Sequence, residues 1–366
     1  MLVQTERVDD ILVVWVDNPP VNALSHGVRV GIMDAIVEAE QDMSVRAALL
    51  MCRGRTFIAG ADVREFNIPV QNPKVTDYIL AMENATKPWV AVLHGTALGG
   101  GFETAMGCHY RIATPDAKIG LPEVNLGIIP GAGGTARIPH LVPWDAAVDM
   151  VTSGRHVGAP EAAAWGAVDD IISGDLYEGA LAFAHSVKDL ALPLAVKDRP
   201  LPPPPPATFW ADWDVKLRQK SRGQASPLRA LESVRNAAKL PFDAAYAQER
   251  EIFLELRDSA QGRALRHAFF AERAVGKVPS LGDAKPRPLN AIAVIGGGTM
   301  GSGIAAAFVN AGFAITMVER DDAALGRGLD TVKKIFADGV KRGLMDDAEM
   351  NRRMERTHGT TDLANI

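Results

Sequence analysis

The sequence predicts an α/β protein of more than one domain, and three observations carry that prediction. Short β-branched runs alternate with helically spaced apolar residues over residues 1 to 175. Five consecutive prolines, Pro202 to Pro206, then break the pattern, and a glycine-rich turn between two further strands follows at Gly296. At 366 residues the chain has room for two or three domains of about 150 residues each. With 23% charged and 47% hydrophobic residues it has the balance of a folded globular chain, which excludes disorder. A net charge of −5 without a long basic run argues against nucleic-acid binding. No stretch approaches the roughly 18 apolar residues of a membrane span. Met1 to Ile11 carries acids and does not read as a secretory signal. Two cysteines, Cys52 and Cys108, make no disulfide framework and suit a reducing cytosol.

Taken in order, Ile11 to Val16 is a strand ended by Asn18-Pro19-Pro20. Gly31 to Gln41 has helical spacing, with Ile32, Ala35, Ile36 and Ala39 on one face, and Ala47 to Cys52 and Trp89 to His94 read as buried strands. The proline run predicts an extended spacer. Phe209, Trp210 and Trp213 after it read as docking residues for a helical segment from Pro227 to Val275. Lys285 to Pro288 reads as a linker.

Ile292 to Ile295 runs into Gly296-Gly297-Gly298-Thr299-Met300-Gly301 and then a helix of small residues. This is a G-x-G-x-x-G turn. Gly296 permits the bend, Gly298 lets backbone approach a pyrophosphate, and Gly301 lets helix and strand pack closely. The helix N-terminus, with Thr299 and Met300, favours the anion. A strand from Phe313 to Val318 ends in Glu319, positioned to hydrogen-bond ribose hydroxyls and to select NAD over NADP. Residues 290 to 366 leave room for only about two βαβ units of roughly 30 residues, so an incomplete NAD-binding domain is expected, without dehydrogenase turnover.

Three segments of the N-terminal part belong together: Thr56 to Val63, His94 to Glu103, and Ile119 to Gly134. Glycines at this density let backbone N–H groups converge on a ligand oxygen. Gly99-Gly100-Gly101 before a helix is a natural oxyanion donor. Alone, Glu103 would be an ordinary first-turn acid and Glu123 a loop acid; beside the glycines they form a candidate pair for acid–base work. His26, His94 and His109 lack metal-ligand spacing, so no metal is expected. Cys108 reads as a small core residue, Asp62 as a helix cap, and Arg64 equally as a phosphate contact or a solvated arginine.

These segments, with Pro20 to Leu24, resemble the enoyl-CoA hydratase/isomerase (crotonase) superfamily over roughly residues 1 to 190. Leu265 to Arg273 and the following Ile295 to Ala305 turn resemble the multifunctional fatty acid β-oxidation enzymes, in which a hydratase is fused to a 3-hydroxyacyl-CoA dehydrogenase. The resemblance implies a spiral of β-β-α units over 1–190, a proline-rich and helical linker region over 191–285 that covers the acyl pocket, and the first portion of a Rossmann NAD-binding domain over 286–366. It carries the oxyanion hole to the N–H groups of Ala61 and Gly100, and the catalytic carboxylates to Glu103 and Glu123. It implies that Glu123 protonates C2 of the enoyl thioester while Glu103 positions and deprotonates water. The implied reaction is hydration of trans-2-enoyl-CoA, with Δ3-Δ2-enoyl-CoA isomerisation or a CoA-ester-binding fragment as rivals. A thiolase or further copies of the chain are the implied partners, and a peroxisomal address stays open beside the cytosolic one.

Overall fold

The computed structural model describes residues 1–62, 65, 69, 71–276, 278–282, 284–289 and 291–366. The chain divides into two compact units, Met1–Lys277 and Val278–Ile366.

In the first unit the elements run β1 (Val3–Val8), β2 (Ile11–Val16), α1 (His26–Gln41), β3 (Ala47–Cys52), α2 (Val75–Glu83), β4 (Trp89–Leu93), β5 (Thr96–Leu98) and α3 (Gly100–Gly107). They continue with β6 (Tyr110–Ala113), β7 (Lys118–Gly120), a 3₁₀ turn at Pro122–Leu126, α4 (Gly134–Arg137), α5 (Trp144–Ser153), β8 (Val157–Gly158), α6 (Ala159–Trp165), β9 (Asp170–Ile171) and α7 (Leu176–Val187). One sheet has the order β1-β2-β3-β4-β6-β9, parallel except for the β1–β2 hairpin, and a small sheet has the order β5-β7-β8. Repeated strand, short strand and helix units thus wind forward with the main chain.

β2 is apolar throughout because both faces of its sheet are covered, as parallel sheets require. Leu12, Val14 and Val16 join the main core, while Ile11, Val13 and Trp15 meet Ala180, Ala184 and Val187 of α7 on the other face. Helix α1 starts at His26, earlier than the apolar spacing from Gly31 indicates. Gly31 lies inside it because α1 crosses β1 there, and a Cβ would stand 2.5 Å from that of Val3. A helix-breaking residue in the sequence is here a close-packing residue.

The extended proline segment runs across α5, where Trp144 Nε1 donates to the Pro203 carbonyl at 3.0 Å. Beyond it come α8 (Phe209–Lys220), α9 (Ser226–Ala237), α10 (Phe242–Asp258) and α11 (Ala260–Val275). They pack back onto the first unit. Trp210 meets Trp144 edge-on at 5.7 Å, Trp213 Nε1 donates to Asp145, and Ser226 Oγ donates to the Val124 carbonyl. The aromatic residues after the prolines therefore dock the helices, as their placement predicts.

The second unit holds β10 (Ile292–Ile295), α12 (Thr299–Asn310), β11 (Ile315–Val318), α13 (Asp322–Lys341), α14 (Asp347–Glu355) and β12 (Thr357–Thr360). Its three strands are parallel in the order β10-β11-β12. Val294, Ala305, Met317, Val332 and Phe336 form its core. Asp321 and Asp346 cap α13 and α14 by accepting from the amides of Ala324 and Glu349.

Candidate active site

The site is built where α3 presses on the segment Ile58–Ala61. Leu98 N–H donates to the Ile58 carbonyl at 3.1 Å, and Leu24 pairs with Ala61 in a parallel bridge. Gly99 turns the chain into α3 with φ +52, and a Cβ on Gly101 would overlap the Ile58 carbonyl oxygen. Only glycines let the helix approach this closely. A Cβ on Gly100 would stand 3.4 Å from Ala61 N, so the Ala61 amide lies close against Gly100. Among the described residues neither N–H has a carbonyl acceptor. Gly100 is the first residue of its helix, where an unsatisfied amide and the dipole both favour negative charge.

Glu103 projects from the first turn of α3 and is buried. Its Oε1 accepts from the N–H groups of Ala132 and Gly134, each at 2.8 Å. Glu123 sits in the 3₁₀ turn, with its Oε1 2.7 Å from where a Gly99 Cβ would be. The residue is half-buried, yet its Oε2 is sealed from solvent and has no partner among the described residues. Burial, and then the nearby Glu249 carboxylate, push Glu103 up to about 7, against the pull of its two amide donors and Arg137. Burial pushes Glu123 well above the carboxylate range, reinforced by the charge of Glu103. Both carboxyls thus hold their protons above the usual carboxylate range, and the charge of one opposes ionisation of the other, the pairing that lets two acids take opposite roles.

The raised Glu123 value has a sign for stability. The folded site binds a proton more tightly than the unfolded chain does, so its contribution is complete below the unfolded value of about 4.3 and is lost as pH rises toward the folded value. Glu123→Gln, which cannot ionise, should therefore gain stability over the parent at pH 8 and lose that advantage near pH 4. Urea midpoints at the two pH values measure it, and an equal difference at both would contradict the burial of an ionisable group here.

Both glutamates, Ala61 and Gly100 line one cavity of about 840 Å³, ample for a small-molecule ligand. Leu24, Ile128, Ile129 and Phe253 make it apolar, and Lys74, Arg250, Arg257 and Arg273 add cations to its lining beside Arg29, which is paired with Glu65.

In the second unit Gly296 has φ +94 and donates to the Val318 carbonyl at 2.8 Å, which bends the chain from β10 into α12. A Cβ on Gly301 would overlap the Gly296 carbonyl, whereas one on Gly298 would meet nothing within 4 Å. Thr299 and Met300, the first residues of α12, are exposed beside that space. Glu319 Oε1 accepts from Gly297 N–H at 2.8 Å, and that bond, with the Arg320 amide, holds its carboxyl below the usual range. The open approach over Gly298, the helix N-terminus at Thr299 and the charged Glu319 fit a dinucleotide.

Residues 6–189 match the enoyl-CoA hydratase/isomerase family. The chain belongs to that family. Residues 291–366 match the NAD-binding domain of 3-hydroxyacyl-CoA dehydrogenase, so a hydratase/isomerase domain is followed in one chain by a dehydrogenase module. The peroxisomal bifunctional enzyme of Danio rerio is 39% identical over 342 residues, covering 91% of this chain and 47% of the relative. The peroxisomal fatty acid beta-oxidation multifunctional protein of Oryza sativa subsp. japonica is 35% identical, covering 98% and 51%. The chain spans about half the length of the curated relatives it matches. Among solved structures, carnitinyl-CoA hydratase from Mycobacterium avium superposes with a TM-score of 0.56 at 26% identity, covering 74% of this chain and 96% of that one.

Within the hydratase/isomerase domain, Cys108 is buried and its thiol is pushed up to about 12, so it packs rather than reacts. His109 accepts from the Trp89 amide, and burial pushes it down to about 4, leaving a neutral structural imidazole. Among the described residues no group of three His, Cys, Asp or Glu is arranged for a metal. Asp62 is buried and lines the cavity; Arg64 lies outside the described residues. Sequence reasoning missed Glu249, Phe253 and the arginines of α10 and α11. Their spacing reads as amphipathic helix, and only the fold of the helices onto the domain brings them to the site.

Proposed function

We propose that the first unit reversibly hydrates trans-2-enoyl-CoA to 3-hydroxyacyl-CoA. One observation carries this reading: two carboxyls whose proton affinities are both raised share a cavity with two nearby amides that have no carbonyl acceptor among the described residues. The thioester carbonyl oxygen accepts from Ala61 N–H and Gly100 N–H. Glu103, ionised, orients a water and takes one of its protons as the oxygen bonds to C3. The π electrons move onto the thioester oxygen, where the amides stabilise the enolate. Glu123 then gives its proton to C2. Transfer of a proton from Glu103 back to Glu123 resets the site, so the sum is addition of one water. The arginines in the cavity lining suit the phosphates of coenzyme A.

Isomerisation of a 3-enoyl thioester needs one base and the same amides; the presence of both glutamates favours hydration. Loss of the conjugated enoyl absorbance of crotonyl-CoA tests the reading. Turnover of 3-enoyl-CoA alone would favour the isomerase, and binding of acetoacetyl-CoA without turnover a fragment that only binds.

The second unit is proposed to bind NAD through Gly296, Gly298, Thr299, Met300, Gly301 and Glu319; bound NAD would supply a hydride acceptor for a 3-hydroxyacyl thioester. Glu319→Ala should weaken NAD binding by about 10-fold or more, the scale of one lost charge-assisted hydrogen bond. Calorimetric titration measures it, and unchanged affinity would remove Glu319 from the site. The place implied is fatty acid β-oxidation, with a thiolase as the consumer of the oxidised product and the cytosol or peroxisomal matrix as compartment.

A further inference from the structure

We propose that Glu249 is a positioning residue for Glu103, because it grips the same short segment that holds the Glu103 carboxylate. Five successive amides, Ala132 to Ala136, are divided between two carboxylates. Those of Ala132 and Gly134 go to Glu103 Oε1 at 2.8 Å each. That of Gly133 goes to Glu249 Oε1 at 2.7 Å, and those of Thr135 and Ala136 go to Glu249 Oε2 at 2.7 and 3.1 Å. The Thr135 hydroxyl adds a fourth donor to Glu249 and meets Ser233 Oγ of α9 at 2.5 Å. The amides of residues 132 to 135 thus alternate between the two carboxylates, that of Ala136 also goes to Glu249, and neither carboxylate can shift without dragging the segment that binds the other.

Glu249 comes from the middle of α10 and is fully buried. It is absent from the cavity lining, so it does not touch substrate and acts through the segment. Burial pushes the Glu249 carboxyl above the usual carboxylate range, opposed by its four donors, which favour the charged form. The groups facing Glu103 are then Glu249 from α10, Glu123 from the 3₁₀ turn, Tyr78 from α2, and Arg137 from α4, whose guanidinium is paired with Glu83. Among these, Glu249 is the like charge that most raises the proton affinity of Glu103. A helix beyond the family-matched residues 6–189 thereby sets both the location and the proton affinity of a residue on α3.

The kinetic half of this inference rests on the hydratase reading; the titration half does not. The full chain is prepared with ¹³C-carboxyl glutamate as the parent, Glu249→Gln and Glu249→Asp, and Glu103→Gln assigns the resonance. Glu249→Gln, which keeps the shape and removes the charge, should move the Glu103 midpoint below its parent value. Glu249→Asp keeps the charge and retracts it, so the midpoint should stay near the parent. Its kcat for crotonyl-CoA should fall about 10-fold or more at an unchanged KM, because the carboxylate is misplaced. An unmoved midpoint in Glu249→Gln, or an unchanged kcat per folded molecule in Glu249→Asp, would overturn the proposal. If Glu249→Gln does not fold, Glu249→Asp decides. If the parent itself shows no hydration, the function reading fails and the midpoint alone decides the role of Glu249.

Discussion

Glu123→Gln should lower kcat for crotonyl-CoA hydration by about 10²- to 10⁴-fold, the usual worth of a positioned general acid. Its amide carries no proton acidic enough for C2, and the sealed position of Oε2 keeps bulk water from substituting. Glu103→Gln should lose a similar factor for a different reason. Its amide oxygen can still accept from Ala132 and Gly134, so the water-holding frame survives while the base is gone. The double variant should lose little more than either single one, because the two residues serve one transfer and their effects are not additive. Acetoacetyl-CoA should bind all three within a few-fold, since the amides and the lining cations are untouched. Stopped-flow absorbance and calorimetry separate the two effects, and a single variant retaining more than a tenth of the parent rate would remove that residue from the chemistry. In the parent, kcat/KM should rise as Glu103 ionises around 7 and fall again at higher pH as Glu123 loses its proton, the two steps belonging to the coupled pair.

What the sequence displayed and what it hid divide along physical lines. Strands such as Ala47–Cys52 and Trp89–Leu93 are legible because a strand buried on both faces must be apolar at every position. The glycines at 99 to 101 are legible because a helix cannot lie against a neighbouring backbone if side chains intervene. Glu103 and Glu123 sit beside those glycines, so local pattern finds them. Glu249 is different: it donates nothing to any local pattern and meets the Gly133 amide 116 residues away. In the sequence it is one more acid on an amphipathic helix, where a solvated side chain is the default. Its burial becomes evident only once α9 and α10 close over the segment at Ala132. The first turn of α1 was hidden for a related reason, since the apolar spacing begins only at Gly31, and the fit of that glycine against Val3 is evident only once β1 is in place.

Two neighbouring glycines, given the same extra methyl, should fail in different ways. On Gly100 the methyl would stand 3.1 Å from Leu24 Cδ1 and 3.4 Å from Ala61 N, a crowding that a small shift of the leucine relieves. Gly100→Ala should therefore fold, with a methyl beside the Ala61 amide that the thioester oxygen must reach. Obstructing one oxyanion donor corresponds to about 10²- to 10³-fold in kcat, or roughly 3 to 4 kcal/mol of lost enolate stabilisation. On Gly101 the methyl would meet the Ile58 carbonyl, which is backbone and cannot swing away. Relief there requires α3 to lift off the Ile58–Ala61 segment, parting the two amides and opening the packing of Phe102 and Ala105, so Gly101→Ala should reduce folded yield as well as rate. Circular dichroism and thermal melts sort the pair, and hydration rates per folded molecule complete the comparison. Parent-like turnover in a folded Gly100→Ala would mean that the carbonyl does not lodge at these amides, and the enolate would need another home.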